Sequence, residues 1–348
     1  MAGAQFEAGV WYNGRQSQRK SPNSRRDMND SIPRCRVVPL PASQASFQIS
    51  GIECLRWHFG HHYPRPFFYP LVGPAGAPLT RMGHPGASNH DHHRSIWFAH
   101  HKVLGIDFWS DKTEARIKQE RWIAYQDGQD EAAMAVLLGW YDGHDPAALL
   151  EQELIAAVRQ TPDGETMLEL QSTFRPAANT LEFGKTNFGF LAVRVAASIS
   201  EYFGGGRLTD AHRRTGEKAI FGNRARWMDY SGPTEPELPR PDGRDARDPT
   251  ENGITYFDHP DNPGFPTHWH VREDGWMGAS ACMHGPRQIT KENPLMVRYL
   301  LHAHAGSVDG ASADTIANDF AAKPGFEIVR ADRRHVEAAI RRAGVGES

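Results

Sequence analysis

The chain has 348 residues, 39% of them apolar and 23% charged, with a net charge of −3 and a mean hydropathy of −0.59. That balance supplies no overall basic field for a nucleic-acid partner. The longest uninterrupted apolar stretch, around Ala132–Leu138, is far shorter than the ~20 residues of a membrane-spanning helix. Cys35, Cys54 and Cys282 are widely spaced and odd in number, so they imply neither a disulfide framework nor a CxxC metal knuckle. With no apolar signal-peptide core at the N-terminus, the expectation is a cytoplasmic protein in a reducing compartment, with no membrane partner.

Residues 1–45 read as a disordered basic extension. Arg15, Arg19, Lys20, Arg25, Arg26, Arg34 and Arg36 outnumber Glu7, Asp27 and Asp30 there, interleaved with Ser, Asn and Gln. Residues 46–348 read as a single domain built of strands bounded by turns. Phe47–Ser50 and Ile52–Phe59 flank Gly51, and Arg116–Tyr125 and Ala132–Tyr141 flank Asp127-Gly128. Leu154–Val158 and Met167–Phe174 are joined by Thr161-Pro162-Asp163-Gly164, a hairpin signal in which Pro presets φ and Gly accepts φ > 0. Phe190–Ala197, Ala219–Asp229, Ile254–Phe257, Trp269–Val271 and Met296–His304 continue the rhythm. The Pro- and charge-rich segment 233–250 reads as a surface loop. Ser312–Ala322 and Ala331–Ala343 read as short C-terminal helices, with Ser312 or Asp314 as N-cap and Pro324-Gly325 as a stop. The class predicted is all-β: a large antiparallel two-sheet sandwich, with the galactose-mutarotase-like supersandwich as the nearest analogy.

One stretch, Arg65 to Trp109, holds six of the 18 histidines: His84, His90, His92, His93, His100 and His101. Arg65, Arg81, Arg94, Asp91, Asp107, Trp97 and Trp109 lie in the same stretch. A Gly/Pro-punctuated loop there delivers His90-Asp91-His92-His93-Arg94 into Ser95-Ile96-Trp97-Phe98, the order expected when a sheet presents a reactive loop. If that run were extended, His90 and His92 would share one face and Asp91 and His93 the other. Surface loops are often polar for solvation alone, but imidazoles, carboxylates and indoles packed this densely suit a pocket for a polar ligand.

Two later runs add to it. Asp258-His259-Pro260 and Pro266-Thr267-His268-Trp269-His270-Val271-Arg272 form a Pro-fixed loop opening into a strand. An Arg there can bind a carboxylate or paired hydroxyls, and a Trp face suits the apolar side of a sugar ring. A structural loop with an Arg–Asp ion pair explains Arg272 about as well. Lys185, the only lysine between Lys118 and Lys218, lies near Arg194 and reads equally as a site cation or a solvent-facing side chain. No G-x-S-x-G elbow, dinucleotide fingerprint or P-loop is present, which argues against nucleotide chemistry.

The run RPFFYPLVGPAGAPLTR…NHDHHRSIWFAHHKVLGIDFW resembles a family labelled PmoA, or filed as a domain of unknown function. The resemblance resumes at Lys185-Thr186…Gly189…Arg194, at Trp227–Gly232, at Phe257–Pro263 and at Pro266–Arg272, spanning about residues 47 to 305. The label belongs to a membrane methane-oxidising subunit, which the absence of a spanning segment contradicts. Asn89, Asp91, Gly105 and His268 depart from the family pattern.

The function expected is a carbohydrate-active enzyme using histidine acid/base chemistry on a small-molecule sugar or sugar derivative, whether as epimerase, lyase or hydrolase. His92, His93 and His270 are the catalytic candidates, one imidazole protonated and its partner neutral. Arg65, Arg81, Arg94, Trp97, His100, Lys185, Arg194, Asp258, Trp269 and Arg272 are the substrate-binding candidates. No cofactor is expected; a divalent metal, if bound, would take His90, His92 and His270. A non-catalytic carbohydrate-binding module is the alternative.

Overall fold

Alternation of apolar and polar side chains organises most of the chain into strands. In chain order the first are β1 (Cys35–Leu40), β2 (Gln44–Ile49), β3 (Ile52–His58), β4 (Phe67–Leu71) and β5 (Ile96–His100). Four long strands follow: β6 (Arg116–Gln126), β7 (Glu131–Tyr141), β8 (Leu150–Gln160) and β9 (Thr166–Pro176). Then come β10 (Thr180–Phe183), β11 (Gly189–Arg194), β12 (Arg207–Asp210), β13 (Trp227–Thr234) and β14 (Thr250–Asp258). The last are β15 (Trp269–Arg272), β16 (Trp276–Ala279), β17 (Arg287–Thr290), β18 (Leu295–Ala305), β19 (Phe326–Arg333) and β20 (Val336–Arg342). Helices are short: α1 (Glu201–Gly204), α2 (Glu217–Ile220) and α3 (Gly310–Ala322). This computed structural model describes residues 32–84, 86–87, 90–234 and 250–344.

Two eight-stranded antiparallel sheets carry the fold, and the described residues from Pro33 onward form one unit. The first runs β1-β2-β3-β4-β5-β11-β16-β15 and the second β12-β13-β14-β18-β9-β8-β7-β6. Their inner faces meet through interlocking aromatics. Phe98 lies 6.3 Å from Phe174, and Tyr256 lies 4.8 Å from Trp269, edge to face. The all-β two-sheet sandwich expected from the strand rhythm is what forms.

Period-2 alternation then decides what each sheet turns outward. In the first sheet Ile96, Phe98, Leu191, Val193, Met277, Trp269 and Val271 point into the common core. Their neighbours Trp97, Ala99, Ala192 and Trp276 form a separate buried cluster with Phe67 and Trp109 on the far side. On that same side, Trp97, Ala192, Gly278 and His270 fall in one cross-strand row. The second sheet's outer face is covered by α3, through Ala313, Ala317 and Phe320, and by the β19–β20 hairpin, through Phe326 and Ile340.

Four expectations change. The basic extension does not run to residue 45: β1 begins at Cys35, because buried Cys35 and Val37 pair its backbone with β2. Residues 1–31 lie outside the described residues. The segment Ala331–Ala343 lies mostly in the β19–β20 hairpin rather than a helix, since burying Phe326 and Ile340 on a flat sheet outweighs helix propensity. The helix at Gly310–Ala322 is real, but Asp309 caps it, accepting from the N–H groups of Ala311 and Ser312. The strand predicted at Ala219–Asp229 starts at Trp227, after the single turn of α2. Most of the predicted 233–250 loop lies outside the described residues. Among the described residues no helix is long and apolar enough to cross a membrane.

Candidate active site

The histidine run is a tight turn and not an extended segment. The N–H of His90 donates to the carbonyl of Ala87 (2.8 Å) and that of His93 to the carbonyl of His90 (3.0 Å). Turning the chain gathers the rings that extension would have separated. His92 and His93 lie 4.3 Å apart, His90 and His93 5.2 Å, and His84 and His90 5.6 Å, centroid to centroid. His93 packs against both Trp97 (5.7 Å) and Trp276 (5.0 Å), at 27° to each, and the two indoles touch one another at 5.3 Å. From the neighbouring strand, His270 packs on Phe188 (4.8 Å) and Trp276 (5.6 Å). A cavity of about 410 Å³ opens above this floor, lined by His90, His92, His93, His270 and Arg272 together with His101, Asp107, Trp109, Ser110, Phe188, Asp274 and Trp276.

Burial fixes the protonation of these rings. It is the largest cause lowering His92 to about 4, with the charge of Arg65 next, and His270 to about 3, with the charge of Arg272 next. His93 falls well below the usual imidazole range, mainly by burial and then by its neighbour His92. All three are neutral at pH 7, so the expected pairing of a protonated with a neutral imidazole is not found among them. His270 also has a defined tautomer. Its Nδ1 lies 3.0 Å from the carbonyl oxygen of Asn187, which can only accept, so Nδ1 carries the proton and Nε2 the lone pair.

Several predicted ligand contacts are instead supports. Arg65 is buried, donating to the carbonyls of Phe108 (3.1 Å), His92 (3.3 Å) and Ser110 (2.8 Å) and to Asp111 (3.0 Å). It ties the histidine turn to the 107–111 loop. Arg94 forks onto the same Asp111. Arg194 forks onto Asp274 at 2.8 and 3.1 Å, and Arg81 donates to the Asp274 carbonyl. Burial alone would raise the Asp274 carboxyl, but Arg194 outweighs it and holds Asp274 below its usual range. Trp97 backs His93 without lining the cavity.

Four more predicted residues stand away from the cavity. His100 lies in the core between Phe183 and Phe190, accepting at Nδ1 from the N–H of Lys102. Trp269 points inward as well, its indole N–H on the carbonyl of Ala225 (2.8 Å). Asp258 is raised to about 6 by burial and organises its own turn, accepting from Asn262 and from the Thr267 N–H. Lys185 is exposed. The metal alternative is not assembled: among the described residues no group of three or more His, Cys, Asp or Glu is placed to hold an ion.

Sequence reasoning left out Asp274 and Trp276. They follow Arg272 through Glu273-Asp274-Gly275, and the Asp-Gly pair was a legible hairpin signal sending Trp276 back opposite Arg272, 5.6 Å from His270. Phe188 carried no such signal. Around the floor, the indole N–H groups of Trp97, Trp109 and Trp276 and Nδ1 of His93 are buried without a hydrogen-bond partner. Natural cores rarely leave four such groups in one place, and functional sites are where they collect.

Residues 44–318 match a family described as a family of unknown function, DUF6807. The chain belongs to that family. Its description carries no activity, and the PmoA label is not part of it. No curated protein matches the chain. Among solved structures it is similar to the crystal structure of a 4-alpha-glucanotransferase from Thermococcus litoralis, at 8% identity and a TM-score of 0.28. That similarity covers 79% of this chain and 40% of that one, so the chain spans well under half of the other protein's length.

Proposed function

We propose that the cavity binds a carbohydrate and that His270 acts on it as a general base. The observation that carries the reading is the pairing of an aromatic floor (Trp109, Trp276, Phe188) with an imidazole whose Nε2 holds a lone pair. Indole and phenyl faces favour the C–H side of a pyranose, and a cavity of this size encloses one or two rings. A neutral imidazole without a protonated partner suits proton abstraction better than acid-catalysed cleavage of a glycosidic bond. Epimerisation, elimination and exchange therefore fit this site better than hydrolysis. His92 and His93 line the same cavity, and Arg272, also in its lining, meets substrate oxygens.

Incubation with a sugar panel in D2O, followed by proton NMR, tests this. A sugar that quenches tryptophan fluorescence should lose one C–H signal to deuterium. His270→Gln should keep the quench and lose the exchange. Because burial lowers His270 to about 3, kcat/KM should stay flat from neutrality down to about pH 5 and fall only below it. Binding without exchange in the wild type would identify a carbohydrate-binding module, and no binding by any sugar would sink the reading.

A further inference from the structure

We infer that the sugar taken by this cavity is a sugar acid, its carboxylate held by Arg272 and the adjacent C–H presented to Nε2 of His270. The inference rests on the base assignment above and narrows it. His270 and Arg272 are two residues apart on β15, so they share a face with their Cα atoms about 6.6 Å apart. Both line the same cavity. A carboxylate oxygen and the carbon next to that carboxyl group are separated by two bonds, so both fit side by side between a guanidinium and an imidazole at this spacing.

Among the described residues Arg272 is the one Lys or Arg in the cavity lining, and its ion pair with Glu217 engages Nη1 alone. Asp274, on the cavity wall, is taken by Arg194 with Arg81 beside it, two guanidinium groups to one carboxylate. Asp107 turns its oxygens back on its own loop, accepting from the N–H of Trp109 (2.7 Å) and from Ser110 N–H (3.0 Å) and Oγ (2.6 Å). Asp274 is offset by those guanidinium groups, and both oxygens of Asp107 are engaged by donors of its own loop, which orient the carboxylate without cancelling its charge. Arg272 stacks on Phe221 (4.7 Å) and gives Nη1 to Glu217 (2.7 Å), which holds the planar head in place. Its side chain remains 44% exposed, and a guanidinium fork suits a carboxylate.

The chemistry closes without a further reactant. Nε2 of His270 takes the hydrogen as a proton, and the electron pair of the broken C–H bond moves into the carboxylate, whose added charge faces Arg272. The pair then either accepts a proton at the same carbon or expels an oxygen substituent from the next carbon. In the second case a C=C bond forms and the leaving oxygen takes the proton from His270.

The test compares D-glucuronate, D-galacturonate and D-gluconate with D-glucose, D-galactose and methyl D-glucuronate, by tryptophan quenching and by NMR in D2O. At least one acid should bind about tenfold or more tighter than its uncharged counterpart and exchange the hydrogen next to its carboxylate. Arg272→Gln should erase that preference, Arg272→Lys should restore part of it, and His270→Gln should keep the preference while losing exchange. Equal binding of acids and uncharged sugars, unchanged in Arg272→Gln, would overturn the sugar-acid inference and leave the carbohydrate site standing. Failure of every member to bind would overturn both.

Discussion

Arg65 shows how a residue can support a cavity that it does not line. A guanidinium buried this completely must have its N–H groups satisfied, and three backbone carbonyls and Asp111 do so. Burial lowers its pKa to about 10, which still leaves it charged throughout the working range. Arg65→Met would keep the bulk but leave three carbonyls without their donor and Asp111 with Arg94 alone, at a cost of roughly 3 kcal/mol. Urea unfolding should show that loss, and tryptophan quenching by ligand should weaken because His92 and Ser110 are no longer held. A variant within about 0.5 kcal/mol of wild type would refute the clamp. Residue types alone could not tell this arginine from Arg272: both lie in polar motifs, and only three-dimensional burial separates the support from the group that faces the cavity.

At the scale of elements, strands were legible wherever a run rich in apolar residues is bounded by turn signals, as in β6 to β9, although β7 to β9 are buried on both faces along most of their length. The failures came where packing overrides local preference. The Ala-rich end of the chain has helix formers throughout, yet it folds as a hairpin because the second sheet offers Ala133, Ala135, Ile155 and Ala157 as a flat apolar surface. Glu169 anchors that hairpin. It accepts from Arg342 at 2.7 and 2.8 Å and from Arg298 at 3.0 Å, with Arg159 and Lys323 each 3.7 Å away. Burial would raise this carboxyl, but those cations hold it below the usual range. Glu169→Gln would leave buried Arg298 without its counter-charge and should cost roughly 3 kcal/mol or more. Hydrogen exchange in residues 326–342 should speed up more than in β1 to β5. Uniform protection across both regions would show that the hairpin is held by apolar contacts alone.

Over the whole unit, a two-sided sandwich leaves two outer faces, and the sequence could not say which would carry a site. The histidine turn was legible from composition and Trp276 from the Asp274-Gly275 hairpin signal, but Phe188 reaches the cavity through sheet order, which single-sequence periodicity does not encode. The second outer face holds its own buried polar group. His304 sends Nε2 to Asp229 at 2.8 Å and Nδ1 toward the carbonyl of Ala305 at 3.3 Å, two pure acceptors, so the ring is held as an imidazolium. Burial opposes that charge, but Asp229 outweighs it and raises the pKa. Its contribution to stability is complete below the unfolded value of 6.5 and is lost as pH rises through the raised folded value. The opposite sign applies to His92 and His302, lowered to about 4, and to His100 and His270, lowered to about 3, each chiefly by burial. Their contributions are present above pH 6.5 and are lost as pH falls toward those folded values, because the unfolded chain takes up protons that the folded one refuses. His93, lowered in the same way, adds to the acid side, where the lowered histidines outnumber His304 on the alkaline side. Calorimetry from pH 4 to 9 should therefore find Tm highest near neutrality, with a steep acid limb and a shallow alkaline one. His304→Asn should lower Tm near pH 6 and flatten the alkaline limb while leaving the acid limb in place. A Tm that holds constant between pH 7 and pH 4.5 would show that these rings are not kept neutral by the fold.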